Sequence, residues 1–420
     1  MTILAAFRVR SFRFQWPADL LASCAFEMET LILGWYVMTE TGSVVTLTVF
    51  GSLQFLGTLA SPMFGVLGDR LGARAMLCAI RGASGVLAAV LMTLAFTEWL
   101  TPTWVLVLAA LAGIVRPNDL VMRNTLIGET IPPADLMGAI GMSRASTDSA
   151  RVAGALAGAG LSAMLGVGPA YVFVTLFYAI SLGLTLGIAR SRPVPDPSAP
   201  ATLTLGSGRA RRRDLWEGLR HVATTPRLLA VMWLAFLINL TAYPASGGLL
   251  PYVARHVYAV DATGLGWLVA SFSLGGLLGS LTMVMMRGTR HPERAMLVHT
   301  AAWYALLLAF GHMRLLPVGV TTLLVAGFVQ NIALISMTAS LLDAAGPRFR
   351  ARVMGVRQLA VYGLPVGLMV SGALIERIGY PITMTVTSTI GLLFTLLIGI
   401  RWRASIWHSV RQPSTIAGSG

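Results

Sequence analysis

The segment GIVRPNDLVMRNTLIGETIPPADLMGAIGMSRASTDSARVAGALAG, residues 113–158, predicts the fold, because residues 327–372 repeat its pattern 214 positions later. The two segments share seven identities in 46 aligned positions. The aligned residues that matter are Gly113 with Gly327, Glu129 with Asp343, Pro133 with Pro347, Gly141 with Gly355 and Gly158 with Gly372. Glycine, proline and an acidic side chain have mechanical roles at helix ends, turns and close helix contacts. The repeat therefore predicts two related halves that follow one another along the chain.

The composition indicates a membrane protein. Of the 420 residues, 55% are hydrophobic and only 11% are charged, whereas a soluble domain carries about 25% charged residues. Apolar runs of about 20 residues, each long enough to cross the hydrocarbon core as a helix, recur along the whole chain. We predict an all-α membrane protein with twelve spans, at residues 16–38, 43–67, 75–96, 102–126, 139–165, 168–189, 227–254, 262–286, 295–312, 315–341, 353–375 and 380–400.

These spans divide into two sets of six. Residues 1–190 are expected to form the first six-helix bundle and residues 227–403 the second, followed by a cytoplasmic tail at 404–420. The linker, residues 191–226, contains RARRRDLWEGLRHV, which predicts either a helix on the inner leaflet or a solvated basic segment. Two parallel halves of six helices with a ligand site between them are typical of transporters.

The distribution of arginine predicts the orientation in the membrane. All 31 basic residues are arginine, and they concentrate at both ends of the chain and in the loops after spans two, six, eight and ten. The alternate loops hold only Arg255, Arg314 and Arg377. An excess of arginine marks cytoplasmic loops. We therefore expect a protein of the bacterial inner membrane with both termini in the cytoplasm. The net charge of +14 is thus assigned to orientation rather than to nucleic-acid binding.

Motifs of several other protein classes are missing from the sequence. Cys24 and Cys78 lie inside predicted spans, which gives neither a disulfide framework nor the spacing of a metal site. The phosphate-binding pattern GxxxxGK[ST] requires a lysine, and the chain has none. We therefore expect no cofactor and no enzymatic activity.

The loop after span two carries a recognisable motif. It reads GVLGDRLGAR over residues 65–74 and resembles the loop 2–3 signature of the major facilitator superfamily, called motif A. Residues 217–220, EGLR, and 347–355, PRFRARVMG, resemble the same superfamily, so the resemblance covers residues 8–403. It is greatest to the bacterial exporter branch that includes the enterobactin exporter and macrolide efflux pumps. The resemblance implies two pseudo-symmetric six-helix bundles that transport by alternating access.

A cytoplasmic gate is expected at this loop. Asp69 places a negative charge where it can meet the positive N-terminal end of another helix, and the resemblance implies that this helix is span eleven, near Arg352. Arg70 or Arg74 can pair with Glu129 at the inner end of span four. The alternative is that these charges only satisfy the orientation rule. The expected gate residues are Gly65, Asp69, Arg70, Gly72, Arg74, Glu129 and Arg352.

Small residues recur at four-residue spacing on every third span. They are Gly57, Ser61 and Gly65, Gly154 and Gly158, Gly275 and Gly279, and Gly363 and Gly367. This spacing lets helix backbones approach closely. The resemblance implies that spans two, five, eight and eleven form the interface across which the halves rock, with static packing as the alternative. The antiporter signature of span five has Gly-Pro where this chain has Gly154-Ala155, which weakens the indication of antiport.

Ionisable residues inside the spans are candidates for function, because a charge in the bilayer costs several kcal/mol unless it is paired or hydrated. In span one, Glu27 lies on a polar stripe and Glu29 points roughly the opposite way. We expect one cluster of paired charges, which lies roughly 12–18 Å from the predicted inner ends of the spans. The charges of this cluster sum to −1, and Glu29 would add a second negative charge. Its members are Glu27, Arg116, Asp119, Asp148 and Arg151.

The main hypothesis for this cluster concerns Glu27. It would face a central cavity and either exchange a proton or bind a cationic substrate group, with its proximity to Arg116 changing between conformations. Asp119, Asp148 and Glu29 are the other candidates for this role. The alternative is a static network of salt bridges that holds spans one, four and five together.

The second half offers uncharged polar candidates for a substrate cavity. They are Asn239, Tyr243, Gln330, Asn331, Gln358 and Tyr362. Amides and phenols orient a ligand at a small desolvation cost, but each also forms ordinary hydrogen bonds between helices.

The sequence thus predicts a secondary active transporter. It would export a small amphiphilic compound, such as a drug, a siderophore or a secondary metabolite, in exchange for protons. The expected partners are this substrate, protons and the lipid bilayer, with no nucleic acid and a monomeric state. Two alternatives stay open: an importer or uniporter with the same fold, and a membrane sensor or accessory protein that does not transport.

Overall fold

The computed structural model describes residues 7–58, 71–188, 208–286, 289 and 291–403. Within these ranges the chain is helical and forms no β-strand. The first half contains α1 (Arg10–Thr41), α2 (Val44–Leu53), α3 (Ala73–Phe96), α4 (Pro102–Val115), α5 (Asp119–Thr130), α6 (Pro133–Leu165) and α7 (Val167–Leu186). The second contains α8 (Gly208–Thr224), α9 (Pro226–Thr241), α10 (Ala262–Met285), α11 (Pro292–Phe310), α12 (Leu316–Ala360), α13 (Gly363–Ile378) and α14 (Tyr380–Arg401).

Glycine and hydroxyl residues set the turn between α1 and α2. Gly42 has φ +62° and its N–H bonds the Met38 carbonyl, which ends α1 in the left-handed conformation that only glycine adopts without strain. The Ser43 hydroxyl accepts a hydrogen bond from the Thr46 N–H and caps α2.

Three membrane helices are interrupted rather than straight. A 3₁₀ turn at Arg116–Asn118, which contains a proline, joins α4 to α5. Gly346, at φ +65°, breaks α12 between the tenth and eleventh predicted spans. After α9 the chain winds into π-helical turns at Pro244–Gly248 and Val253–Val257.

Nine helices of the described ranges are long and apolar enough to cross a membrane. They correspond to nine of the twelve predicted spans and establish a multi-pass membrane protein. Spans two, five and nine remain predictions. The segment Val44–Thr58 is apolar but short, while charged residues lower the hydropathy of α6 and α11, among them Asp148 and Glu293.

Each half is centred on an apolar cluster, and the cluster of the second half also includes Leu31, Val44, Ala155 and Ala159 of the first. In the first half α1 packs on α6 and α7, and α3 packs on α7, around buried side chains such as Ile32 and Tyr171. In the second half α12 packs on α10 and α11, around Trp303, Tyr304 and Phe310.

Aligned glycines of the repeat make equivalent contacts in the two halves. A methyl group on Gly113 would lie 2.9 Å from Cα of Gln54, beyond the end of α2, and one on Gly327 would lie 3.1 Å from the backbone nitrogen of Gly276 on α10. The first contact is closer than real Cβ atoms come, and the second is tighter than most, so a side chain at either position would require its neighbours to shift. The repeat therefore reflects a shared requirement for close contact between helix backbones.

The small-residue pairs pack within the halves rather than between them. Gly154 and Gly158 face α1, the pair at 275 and 279 faces α12, and the pair at 363 and 367 faces α9. Their spacing thus serves static packing in this structure. The two halves meet where α6 lies on α10 and where α2 lies on α13.

Contacts between the halves concentrate beside the loop that follows α1. The Arg255 guanidinium donates a hydrogen bond to the Met38 carbonyl at 3.0 Å, and the Ser52 hydroxyl donates to the Pro365 carbonyl at 3.0 Å. Gly34 packs on the ring of Pro251 in the same region. The two halves are therefore joined at the end of the molecule away from the first residues of α1.

We predict that Gly158→Ala destabilises the protein and that Gly160→Ala, on the same helix, does not. A methyl group on Gly158 would lie 2.9 Å from Cα of Met28, whereas nothing lies within 4 Å of one on Gly160. Overpacking costs about 1–3 kcal/mol, so the melting temperature in detergent should fall by several degrees for Gly158→Ala alone. Equal melting temperatures for the two variants would contradict this view of the α1–α6 contact.

Candidate functional site

Two cavities adjoin between the halves. The larger, of about 320 Å³, is lined mainly by the first half and includes Glu27, Arg116 and Arg151. The smaller, of about 190 Å³, is lined by the second half, and Gln358 and Val361 border both. Together they form a compartment at the centre of the molecule with one charged wall and one mostly uncharged wall.

Glu27 faces the larger cavity and pairs with Arg151. Nε of Arg151 donates a hydrogen bond to Oε1 of Glu27 at 3.2 Å, which joins α1 to α6. Gly154, one turn further along α6, permits this approach because a methyl group there would lie 2.9 Å from Cβ of Glu27. The Arg151 side chain is 49% exposed and that of Glu27 18%. This is a single ion pair at an accessible contact between two helices.

Glu29 has a separate and more enclosed environment. It forms an ion pair with Arg116 and accepts a hydrogen bond from the Tyr178 hydroxyl at 3.3 Å. The Arg116 guanidinium also lies 5.3 Å from the Phe26 ring centre and 5.7 Å from that of Tyr178, at distances that give cation–π attraction. The expected approach of Glu27 to Arg116 is therefore wrong in this conformation, because Glu29 points away from Glu27 and occupies that arginine.

A network of four charges lies deeper in the first half. The Arg81 guanidinium contacts Asp19, and its Nε lies 3.5 Å from Oδ1 of Asp119. Arg123 contacts Asp119 and lies 3.6 Å from Oδ1 of Asp19, and it also donates to the Ser23 hydroxyl at 2.8 Å. The network is neutral and joins α1, α3 and α5. For Asp119, this arrangement agrees with the alternative of a static network of salt bridges between helices.

Arg81 is a residue that the sequence reasoning missed. It lies inside the third predicted span and is only 1% exposed. The signal was present, because a lone arginine in an apolar run requires a negative partner. Asp19, on the polar stripe of span one, supplies that partner.

Asp148 makes a fourth group with Arg144, one turn before it on α6. Nε of Arg144 lies 3.5 Å from Oδ2 of Asp148, and that oxygen has no hydrogen-bond partner among the described residues although Asp148 is buried. The candidate charges are thus divided among four neutral groups. The expectation of one cluster with net −1 is corrected, because Arg81, Arg123 and Arg144 supply partners that were not counted.

The uncharged candidates separate into cavity and packing residues. Asn239, Tyr243 and Gln358 line the smaller cavity. Gln330 supports this wall, since its Nε2 donates to the Tyr243 hydroxyl at 3.0 Å. Asn331 instead bonds the Ser280 hydroxyl at 2.8 Å and the Gly276 carbonyl, which fastens α12 to α10. Tyr362 borders neither of these two cavities.

The candidate gate is described only in part, because Gly65, Asp69 and Arg70 lie outside the described residues. Gly72 precedes α3 with φ +84°, a conformation that favours glycine. Arg74 donates to the Leu186 carbonyl at 2.5 Å, at the end of α7, rather than to the expected Glu129. The side chain of Glu129 is exposed at the end of α5.

The second-half charges near this end also have partners that we did not expect. Nη1 of Arg352 lies 2.9 Å from Oε2 of Glu217, which attaches the linker helix α8 to α12. Asp343, which aligns with Glu129 in the repeat, pairs with Arg227 at 2.9 Å. Arg227 lies at the start of α9, and its proximity to Asp343 could not be predicted from their positions in the sequence.

The profile of the transmembrane secretion effector family matches residues 1–416. The chain belongs to this family, within the major facilitator superfamily. It is 27% identical over 187 residues to the multidrug efflux pump Tap of Mycolicibacterium fortuitum, a match that spans 44% of each protein. The match thus spans less than half the length of that relative.

Solved structures show the same fold at low sequence identity. The nucleoside transporter NupG aligns with a TM-score of 0.73 at 14% identity, covering 94% of this chain and 99% of that one. A bacterial homologue of the human lysosomal transporter Spinster aligns with a TM-score of 0.70 at 14% identity, covering 95% and 99%. The human organic anion transporter MFSD10 aligns at 0.65 with 18% identity, covering 93% and 99%. These structures show that the chain shares the fold of membrane transporters. The family to which it belongs is one of transporters and not of enzymes.

We predict that Arg81→Met strongly destabilises the first half. Removing one partner of a buried ion pair costs about 3–5 kcal/mol, because the opposite charge stays buried and uncompensated. The double variant Arg81→Met/Asp19→Asn restores neutrality and should recover part of the loss. Melting in detergent measures both, and Arg314→Met, at an exposed position, should stay within about 0.5 kcal/mol of the parent. A melting temperature unchanged by Arg81→Met would show that the network contributes nothing.

Proposed function

We propose that the protein exports a small amphiphilic compound from the bacterial cytoplasm in exchange for protons, by alternating access. The observation that carries the proposal is the Glu27–Arg151 pair on the wall of the central cavity. A carboxylate inside a membrane bundle marks an ion or proton pathway more often than a structural feature. The family description, which refers to secretion, and the efflux relative support the outward direction.

Glu27 is better suited to proton exchange than Asp119, the other carboxylate lining the larger cavity. Asp119 interacts with Arg81 and Arg123, and both are nearly fully buried. Glu27 interacts with one half-exposed arginine, so protonation of Glu27 would release a single contact between α1 and α6. A ligand or proton that favours one arrangement of these helices shifts the conformational equilibrium.

Asp148 is the second candidate for the proton site. It is buried, one of its oxygens has no hydrogen-bond partner among the described residues, and Arg144 reaches it from one turn away. We assign Glu29 and Arg116 to positioning, since both are held by each other and by Tyr178.

The positions of the contacts support an inward-open state. We propose that both termini are cytoplasmic, as the arginine distribution predicts. The halves then touch at the outer end, where Met38 meets Arg255, and Glu27 lies about 15 Å nearer the cytoplasm along α1. In this proposal residues 1–190 and 227–403 rock as two bundles in a monomer, and the loop at 65–74 closes the cytoplasmic side with Arg352.

We predict that Glu27→Gln uncouples transport from protons. Cells that express the protein are loaded with ethidium, tetracycline or a catecholate siderophore, and efflux is measured with and without a protonophore. Net efflux should fall about tenfold in Glu27→Gln, because the amide cannot carry a proton, while exchange of substrate across the membrane without a proton gradient stays within about twofold. Loss of exchange as well would assign Glu27 a structural or substrate-binding role.

Asp148→Asn is the matched comparison for Glu27→Gln. If it uncouples net efflux and Glu27→Gln does not, the proton site lies at Asp148. Uptake that depends on the proton gradient, in place of efflux, would favour an importer. With protein present in the membrane, no movement of any compound and no proton release on adding these compounds would favour the sensor or accessory role.

We predict that a disulfide between positions 48 and 372 stops transport. A Cβ on Gly372 would lie 3.1 Å from that of Thr48, close to the roughly 3.5–4.5 Å of a disulfide. In a Cys24→Ala/Cys78→Ala background, oxidation of Thr48→Cys/Gly372→Cys should abolish efflux and reduction should restore it. The Thr48→Cys variant alone, treated with the same oxidant, should keep its efflux. Undiminished efflux by fully crosslinked protein would contradict opening at this end.

A further inference from the structure

Arg357 differs from the other arginines that line the two cavities. It lies on α12, inside the apolar segment Arg352–Ile378, and borders the smaller cavity. Within the described part of the chain it makes no ion pair and no side-chain hydrogen bond. The four arginines of the larger cavity all have carboxylate partners, namely Arg81, Arg116, Arg123 and Arg151.

The charges around the compartment therefore do not cancel. The ion-paired groups of the first half are each neutral, and Arg357 adds an uncompensated positive charge on the opposite wall. An isolated cation in a membrane bundle is costly, and such residues face cavities and mark substrate or ion pathways. The cost falls when an anion enters the cavity beside the guanidinium.

The surroundings of Arg357 have the character of a ligand site. Asn239, Tyr243 and Gln358 present hydrogen-bonding groups to the same cavity, and Leu334 and Met337 present an apolar surface. Small-molecule sites typically combine a mainly apolar lining with a few convergent polar groups. Gln358, the next residue along the helix, also borders the larger cavity, so one ligand can extend across both.

We propose that Arg357 binds an anionic group of the transported compound, a carboxylate, sulfonate or phosphate, while the apolar body of that compound extends toward Val361 and the larger cavity. The guanidinium presents a planar array of donors that binds such groups through paired hydrogen bonds. This substrate class rests on the proposed function, since it assumes that the compartment between the halves is the transport site.

The test measures the preference of the cavity for anions without requiring transport. In a Cys24→Ala/Cys78→Ala background, Val361→Cys is labelled by sulfonatoethyl methanethiosulfonate and by trimethylammonioethyl methanethiosulfonate, which carry opposite charges. The ratio of the anionic to the cationic rate should fall about tenfold on Arg357→Gln, because a unit charge a few ångströms away attracts one reagent and repels the other. Arg357→Lys should keep the ratio, as should Arg377→Gln, an exposed arginine of the same half. A ratio that Arg357→Gln leaves unchanged would overturn the proposal.

A second measurement uses ligands that differ only in charge. Naphthalene-1-acetate should protect Val361→Cys from labelling at about tenfold lower concentration than naphthalene-1-acetamide, a difference of about 1.4 kcal/mol. Arg357→Gln should remove this advantage. Equal protection by acid and amide, or none by the acid, contradicts the anion site. Anion-selective labelling in a protein that shows neither efflux nor proton exchange would instead keep the site and overturn the proposed function.

Discussion

Charge placed inside a membrane bundle is costly, and this cost governs how the helices of the protein are arranged. Each buried charge needs a partner, and the partners lie on different helices. The network of Asp19, Arg81, Asp119 and Arg123 joins α1, α3 and α5, and the pair of Glu29 with Arg116 fixes α1 to the turn between α4 and α5. These bonds set the rotation of α1, and so determine that Glu27 faces the cavity.

The same cost distinguishes charges that stabilise the fold from charges that can bind a proton or a ligand. Asp119 contacts two arginines, so protonation of Asp119 would remove a partner from two buried positive charges at once. Glu27 has one accessible partner, and Arg357 has no ion-pair partner within the described residues. A proton on Glu27 would break one accessible ion pair, and an anion beside Arg357 would balance the charge of that arginine. The two cavity walls thus offer complementary chemistry to a compound that passes between them.

Glycine contacts pack the helices within each half, whereas hydrogen bonds join the two halves. The pairs that face α1, α9 and α12 bring helices of one half into backbone contact, which makes each half stiff. Between the halves, the hydrogen bonds from Arg255 to Met38 and from Ser52 to Pro365 lie near one end. Stiff halves joined at one end suit rigid-body rocking, in which a few contacts are exchanged while the cores stay packed.

Hydropathy, glycine spacing and loop motifs sufficed to identify the membrane class, the repeat, nine of the spans and the family, because they are local properties of the chain. It also placed Glu27 and Glu29 on opposite faces of α1. Which arginine each of them meets was decided by the tertiary structure, since one residue turns a helix by about 100° and the partners come from α6 and from the turn after α4. For the same reason the pairing of Arg81 with Asp19, and the lack of an ion pair at Arg357 among the described residues, follow only from the folded chain, because pairing depends on how distant helices are rotated and packed.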